Sequence, residues 1–186
     1  MIVKMTGAKA MAIAEDVPDL QRMRTPSGTP RPTYQALHDG EEVKLGGATL
    51  VAHLTPGHTH GCTTWTMKVQ ENGETHNVII IGSMGVNAGT RLVANGALNA
   101  LGEEYMRGFK TMHALSGDVP LGSHPAMHGL VEKYKKLAGS GLATQSGALL
   151  VPNPYIDPKG YLTELNIEET AFNIELESQK KAAVTR

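Results

Sequence analysis

Two short stretches carry side chains whose chemistry is metal binding. Thr55-Pro56-Gly57-His58-Thr59-His60-Gly61-Cys62 sets a His-x-His pair on a tight Pro-Gly turn directly after a strand-like run. Leu121-Gly122-Ser123-His124-Pro125 sets another histidine at a strand-to-helix junction, 66 residues after His58. Neutral imidazole is a common zinc ligand, and loops at the ends of rigid strands are where such ligands can be presented. His124 and His128, four apart, also have a zinc-like spacing for the start of a helix. Each pair is a weak signal by spacing alone, but two histidines from two turns, both facing strand ends, point to a metal site. The remaining histidines, His38, His53, His76 and His113, stand alone and read as ordinary surface or hydrogen-bonded side chains. Cys62 reads as a small buried hydrophobe and Trp65 as a core anchor.

The elements that must hold these turns follow from pattern. Ala8 to Ala14 is small and apolar and predicts a buried strand, followed by the capped start of a short helix at Glu15-Asp16-Val17-Pro18. Three prolines between Thr25 and Pro32 predict a surface loop. Gly46-Gly47, flanked by Val43-Lys44-Leu45 and Thr49 to Leu54, has the chemistry of a hairpin turn. Thr63, Trp65, Met67 and Val69 alternate with Thr64, Thr66 and Lys68, as in a half-buried strand. Val78 to Ile81 is continuously apolar and predicts a strand covered on both faces at the centre of a sheet. Leu98, Leu101, Tyr105, Met106, Phe109 and Met112 recur at helical spacing across 97–115 despite Gly102 and Gly108. A short strand is expected over 118–121, then a helix opened by His124-Pro125 with Pro125 in its first position. After a glycine-rich loop over 139–147, a last helix should bury Leu162, Leu165, Phe172 and Leu176. Strands alternate with helices, no repeat or linker interrupts them, and one α/β domain over 1–186 is the economical reading.

Composition narrows the partners. Lys plus Arg is 17 against 18 for Asp plus Glu, and no run of five like charges occurs, so there is no electrostatic footprint for nucleic acid or an anionic membrane. The longest apolar run is far too short to span a bilayer. A single cysteine, Cys62, forms no internal disulfide. No charged head followed by an apolar stretch and a cleavage site opens the chain.

Taken together, Thr55-Pro56-Gly57-His58-Thr59-x-Gly61, the following Thr63-Thr64-Trp65, Gly122-Ser123-His124-Pro125 and the late Asn153-Pro154-Tyr155-Ile156-Asp157-Pro158-x-Gly160-Tyr161 resemble the third subclass of the metallo-β-lactamases. Pro-Gly-His-Thr alone occurs across that superfamily; the later motifs point to the β-lactamase subclass. The resemblance implies an αββα sandwich and a two-zinc hydrolase that opens the β-lactam amide of penicillins, cephalosporins and carbapenems by a zinc-bound hydroxide, the second zinc steadying the leaving ring nitrogen. It makes His58 a ligand of the first zinc and His124 of the second, and it places Ser83 near the second zinc, holding water or substrate. A further substrate-binding serine of the subclass is Gly85 here, for which Asn87 is a candidate substitute. His60 and His128 fill variable positions, and no residue is assigned as catalytic. Localisation in the periplasm, or secretion, is implied in the same way.

The family's His-x-His-x-Asp-His stretch, which supplies two ligands to each zinc, has no counterpart in this chain. Four of six expected ligands are thus missing. Thr6-Gly7-Ala8-Lys9 aligns best just after that motif, so the chain reads as the back portion of such an enzyme, an incomplete sandwich truncated at its N-terminus. The expectation is weak or absent zinc binding by the chain alone. Two other readings stay open: a superfamily hydrolase of lactones or thioesters, and a non-catalytic remnant or scaffold that self-associates through an exposed sheet edge.

Overall fold

A computed structural model describes residues 2–25, 28, 31–124, 126–139 and 153–184. In chain order the elements are α1 (Ile2–Thr6), β1 (Ala10–Ile13), α2 (Val17–Arg22), β2 (Tyr34–Leu37), β3 (Glu42–Leu45), β4 (Ala48–Leu54), β5 (Thr63–Glu71), β6 (Glu74–Ile81), β7 (Val93–Ala94), β8 (Ala97–Leu98), α3 (Ala100–Ala114), β9 (Val119–Gly122), α4 (Leu130–Gly139) and α5 (Pro158–Val184). A 3-10 turn, Met127–Gly129, precedes α4.

The main sheet has five strands in the order β3-β4-β5-β6-β9. β3 to β6 form an antiparallel meander, with Leu45 opposite Ala48 across the expected Gly46-Gly47 turn. β9 then adds parallel to β6, with Ile81 level with Gly122. β4, β6 and β9 therefore run in one direction and end at one edge. The continuous apolar run belongs to β6, an inner strand but not the central one, which is β5. A parallel crossover needs a helix to carry the chain back over the sheet, and α3 does this.

Each face of the sheet buries a different cluster. On one, Ile79 and Ile81 pack with Tyr105, Phe109 and Met112 of α3 and with Tyr161, Leu165, Phe172 and Leu176 of α5. Phe172 lies 5.5 Å from both Tyr105 and Phe109, measured between ring centres, locking the helices together. On the other face, Ala52, Val43 and Trp65 meet Ile13 and Leu37 from β1 and β2, a separate parallel pair. α2 packs beside β2. Helices, sheet, second sheet and the short α2 give an αββα sandwich in part.

Several expectations need correction. β1 is shorter than the run from Ala8 to Ala14, and within it only Ile13 is fully buried. α3 begins at Ala100, because Asn99 accepts from the Gly102 N–H at 2.9 Å and caps it, while Ala97-Leu98 pairs as a strand instead. Met106 and Leu162, placed on buried faces by their spacing, are 53% and 48% exposed. The core takes Tyr161 in place of Leu162, its hydroxyl donating to the Met112 carbonyl at 2.6 Å. The helix expected after His124 starts later: a 3-10 turn over Met127–Gly129 comes first and α4 starts at Leu130. Pro125, the glycine-rich loop beyond Gly139 and most prolines of the 25–32 loop lie outside the described residues.

Candidate functional site

The shared edge at which β4, β6 and β9 end carries His58, Ser83 and His124 on three successive loops. Register makes this explicit: Ile81 and Gly122 are level, so Ser83 and His124 each stand two residues past the same rung. β4 is separated from β9 by two strands, so His58 and His124 leave the edge about 14 Å apart at ordinary strand spacing.

The His58 loop is held from three sides. Gly57 has φ +142, and a Cβ there would sit 2.6 Å from the Tyr105 ring, so glycine is required at the turn. α3 approaches closely at Gly108, where a Cβ would meet the Pro56 carbonyl oxygen at 2.2 Å. From the opposite side Asp16 accepts the Gly61 N–H at 2.6 Å and the Thr59 hydroxyl at 2.7 Å. Asp16 occupies the N-cap position of α2 but gives its helix no side-chain bond. His60 turns away to Glu104 on α3, with Nδ1 at 2.7 Å from Oε2. The hydrogen bond to that carboxylate, and then its charge, raise the His60 pKa above the ordinary value.

His58 is exposed, and its Nδ1 lies 3.4 Å from the Gly85 carbonyl oxygen, a long contact in which only the ring can donate. That tautomer puts the acceptor lone pair on Nε2, the nitrogen through which the ring could bind a metal. Tyr105 Oη donates to the same carbonyl at 3.1 Å, so Gly85 ties the β4 loop, the β6 loop and α3 together.

Behind the β6 loop lies a small polar core. Thr55 and Thr64 are fully buried, their hydroxyls 3.0 Å apart, and Gly82 N–H donates to Thr64 at 3.3 Å. The Ser83 N–H donates to Cys62 Sγ at 3.2 Å, while the thiol faces the Ser83 carbonyl at 3.4 Å. Burial pushes the Cys62 thiol pKa up, so it remains a protonated clamp on the backbone. Thr64 corrects the simple alternation expected of β5: it faces the helices while Trp65 faces the second sheet. Ser83 is half-buried beside this clamp and Asn87 is exposed, where its carbonyl accepts from Thr90 at 3.0 Å.

His124 is exposed, and its carbonyl accepts the Met127 N–H at 3.0 Å. His128, on the same turn, is buried. Among the described residues no group of three or more histidine, cysteine, aspartate or glutamate side chains converges as a metal site. The structure thus puts His58, Ser83 and His124 on one edge without gathering them into a complete coordination sphere. Sequence reading missed the supports Asp16, Gly85, Tyr105 and Glu104, whose partners lie 20 to 45 residues away and leave no local signal.

The late motif proves to be an anchor. Asn153 donates to Glu71 at the end of β5 at 3.0 Å, and the Asp157 N–H donates to the Asp118 carbonyl at 2.6 Å. Asp157 then accepts the Gly160 N–H at 2.8 Å, just inside the start of α5, and its other oxygen is 2.9 Å from Lys133 Nζ. The ammonium is off the hydrogen-bonding direction, so this is a charge contact. Lys133 is the main cause that holds the Asp157 carboxyl below the usual range.

No family model matches the chain. Among solved structures it is similar to the native FEZ-1 metallo-β-lactamase from Legionella gormanii, at 37% identity and a TM-score of 0.80 over 96% of this chain and 68% of that one. BJP-1, a subclass B3 metallo-β-lactamase of Bradyrhizobium japonicum, gives 32% identity and a TM-score of 0.80 over 97% and 67%. The metallo-β-lactamase SMB-1, in a complex with mercaptoacetic acid, gives 26% and 0.76 over 96% and 68%.

Proposed function

Since the chain belongs to the subclass B3 metallo-β-lactamases, we propose that it serves in β-lactam hydrolysis as one domain over 1–186, with His58 and His124 each lending an imidazole to a different zinc position. Ser83 and Asn87 face the small-molecule substrate from the β6 loop in this reading. The observation that supports it is the placement of the exposed His58, its Nδ1 turned to the Gly85 carbonyl, at the same sheet edge as His124. A periplasmic or secreted location belongs to the same reading and rests on the family resemblance.

Zinc does not fit the described residues by themselves. A catalytic zinc takes three protein ligands, and no such trio converges here. One imidazole per metal is too little for useful affinity, so the chain alone is expected to bind zinc weakly and to hydrolyse β-lactams negligibly.

Two measurements test this. Elemental analysis after dialysis against trace zinc should give a zinc content near zero, and nitrocefin should not turn over. About two zincs per chain, or ordinary turnover, would overturn the partial-site reading and show that ligands come from discounted residues or from a second copy. In a zinc titration followed by NMR, the His58 and His124 ring signals should respond before that of His38. Equal response of all three would remove the site assignment.

A further inference from the structure

Beneath the turn that carries His124 is a histidine whose environment is unlike that of the others. His128 is 7% exposed, and neither ring nitrogen meets a hydrogen-bond partner among the described residues. Its backbone is in the left-handed region, φ 52 and ψ 24, although it is not glycine. Such a conformation is strained for a residue with a Cβ and persists where packing over-determines it. The ring lines a cavity with Met127, Met84, Met112 and Tyr161, together with Glu164 and Glu168, one turn apart on α5. The cavity leaves about 20 Å³ for the centre of a water-sized sphere, room for a single water.

We propose that His128 is an acid-released latch: as a neutral ring it pins the turn carrying His124 against α5, and on protonation it lets that turn go. A neutral imidazole has one donor and one acceptor and tolerates an apolar pocket at modest cost. An imidazolium brings a charge and two donors, and although Glu164 and Glu168 line the same cavity, neither carboxylate is hydrogen-bonded to the ring. The charged and titratable groups around it are Glu164, Glu168 and Tyr161 from α5, Asp157 just before α5, and Lys133 from α4. Burial is the largest influence and favours the neutral ring. Lys133 acts in the same direction, whereas Glu164 and Asp157 oppose it, and the balance lowers the His128 pKa. Burial and the Glu164 charge raise the Glu168 pKa, so this neighbouring carboxyl takes up its proton more readily than an ordinary glutamate. Protonation of the His128 ring therefore loosens the turn as pH falls. The Met127 N–H bond to the His124 carbonyl transmits the release to the candidate ligand. Only that last consequence rests on the proposed role of His124; the latch itself does not.

The test is a histidine-ring NMR titration of the full chain, combined with amide hydrogen exchange corrected for its intrinsic pH dependence. The His128 midpoint should lie below the usual histidine value of about 6.5. Exchange at Met127, Gly129 and Leu130 should accelerate about tenfold or more across that lower midpoint, while Thr64 and Trp65 stay protected. In Glu164→Gln the midpoint should drop further, and in His128→Phe the turn should lose its pH dependence. Titration of His128 at or above the ordinary value, or exchange at the turn that ignores its midpoint, would overturn the proposal. The unaltered chain supplies both readings, so a variant that fails to fold leaves the test intact.

Discussion

The Asp16 carboxylate accepts the backbone N–H of Gly61 at 2.6 Å, joining the start of α2 to the loop that presents His58. With the Thr59 hydroxyl as its second donor, this side chain is the principal side-chain tie between the His58 loop and the β1–β2 half of the fold.

Asp16→Ala should therefore cost about 1.5–3 kcal/mol, the range for a hydrogen bond to a charged group, because a buried N–H at Gly61 would lose its partner. Asp16→Asn keeps an acceptor and should cost less. Urea unfolding of the two variants checks the order; equal and small losses would mean that the loop holds without this tie.

Gly108→Ala sets two effects against each other. Alanine gains roughly 1 kcal/mol in helix propensity. Its Cβ, however, would lie 2.2 Å from the Pro56 carbonyl oxygen, a backbone atom that cannot move without shifting the His58 turn. Overpacking of this kind costs about 1–3 kcal/mol or more, so the net change should be destabilising. A melting temperature unchanged or raised in Gly108→Ala would refute the close approach.

Gly85→Ser should do the opposite. A Cβ at Gly85 meets only Glu168 Oε2, at 3.5 Å, an ordinary contact. Stability should stay within about 0.5 kcal/mol of the parent, as for surface changes free of special features. A larger loss in chemical denaturation would show that the loop cannot take the serine that the subclass resemblance places there.

The His60–Glu104 pair makes a pH prediction of modest size. Because the folded-state pKa of His60 is raised, its stabilising contribution is complete below the unfolded value of about 6.5 and fades as pH rises through the folded value. The His60 side chain is 58% exposed, and screening limits such pairs to less than about 1 kcal/mol. Glu104→Gln should bring the His60 NMR midpoint back toward 6.5; an unmoved midpoint would mean the pair does not persist in solution.

What the sequence could show was governed by distance along the chain. Period-two and period-three-to-four patterns located β5, α3 and α5, a continuous apolar run located β6, and Gly46-Gly47 located its hairpin, because each signal is local. The Pro-Gly-His turn and Gly-Ser-His-Pro were legible for the same reason, and the structure sets both at one sheet edge. Asp16 was legible only as a helix cap, since its real partners are 43 and 45 residues away. Met106 and Leu162 were misplaced because spacing gives a face but not its width: Phe172, Tyr105 and Tyr161 fill the space between the helices and leave those two outside. His128 looked like half of a ligand pair; the left-handed turn at its own backbone buries it, and no periodicity encodes that.

The strand order also sets a timetable. The pairings among β3, β4, β5 and β6 all join strands adjacent in the chain, so their contacts close short loops, whereas Val78 and Val119, level across β6 and β9, are 41 positions apart. Closing long loops slows folding, so the meander should form first and β9 should dock last. Pulse-labelled amide exchange during refolding should protect Trp65 and Ile79 before Leu121. The loops bearing His58 and Ser83 would then be in place while His124 is still arriving, and the edge they share would be finished by the slowest strand.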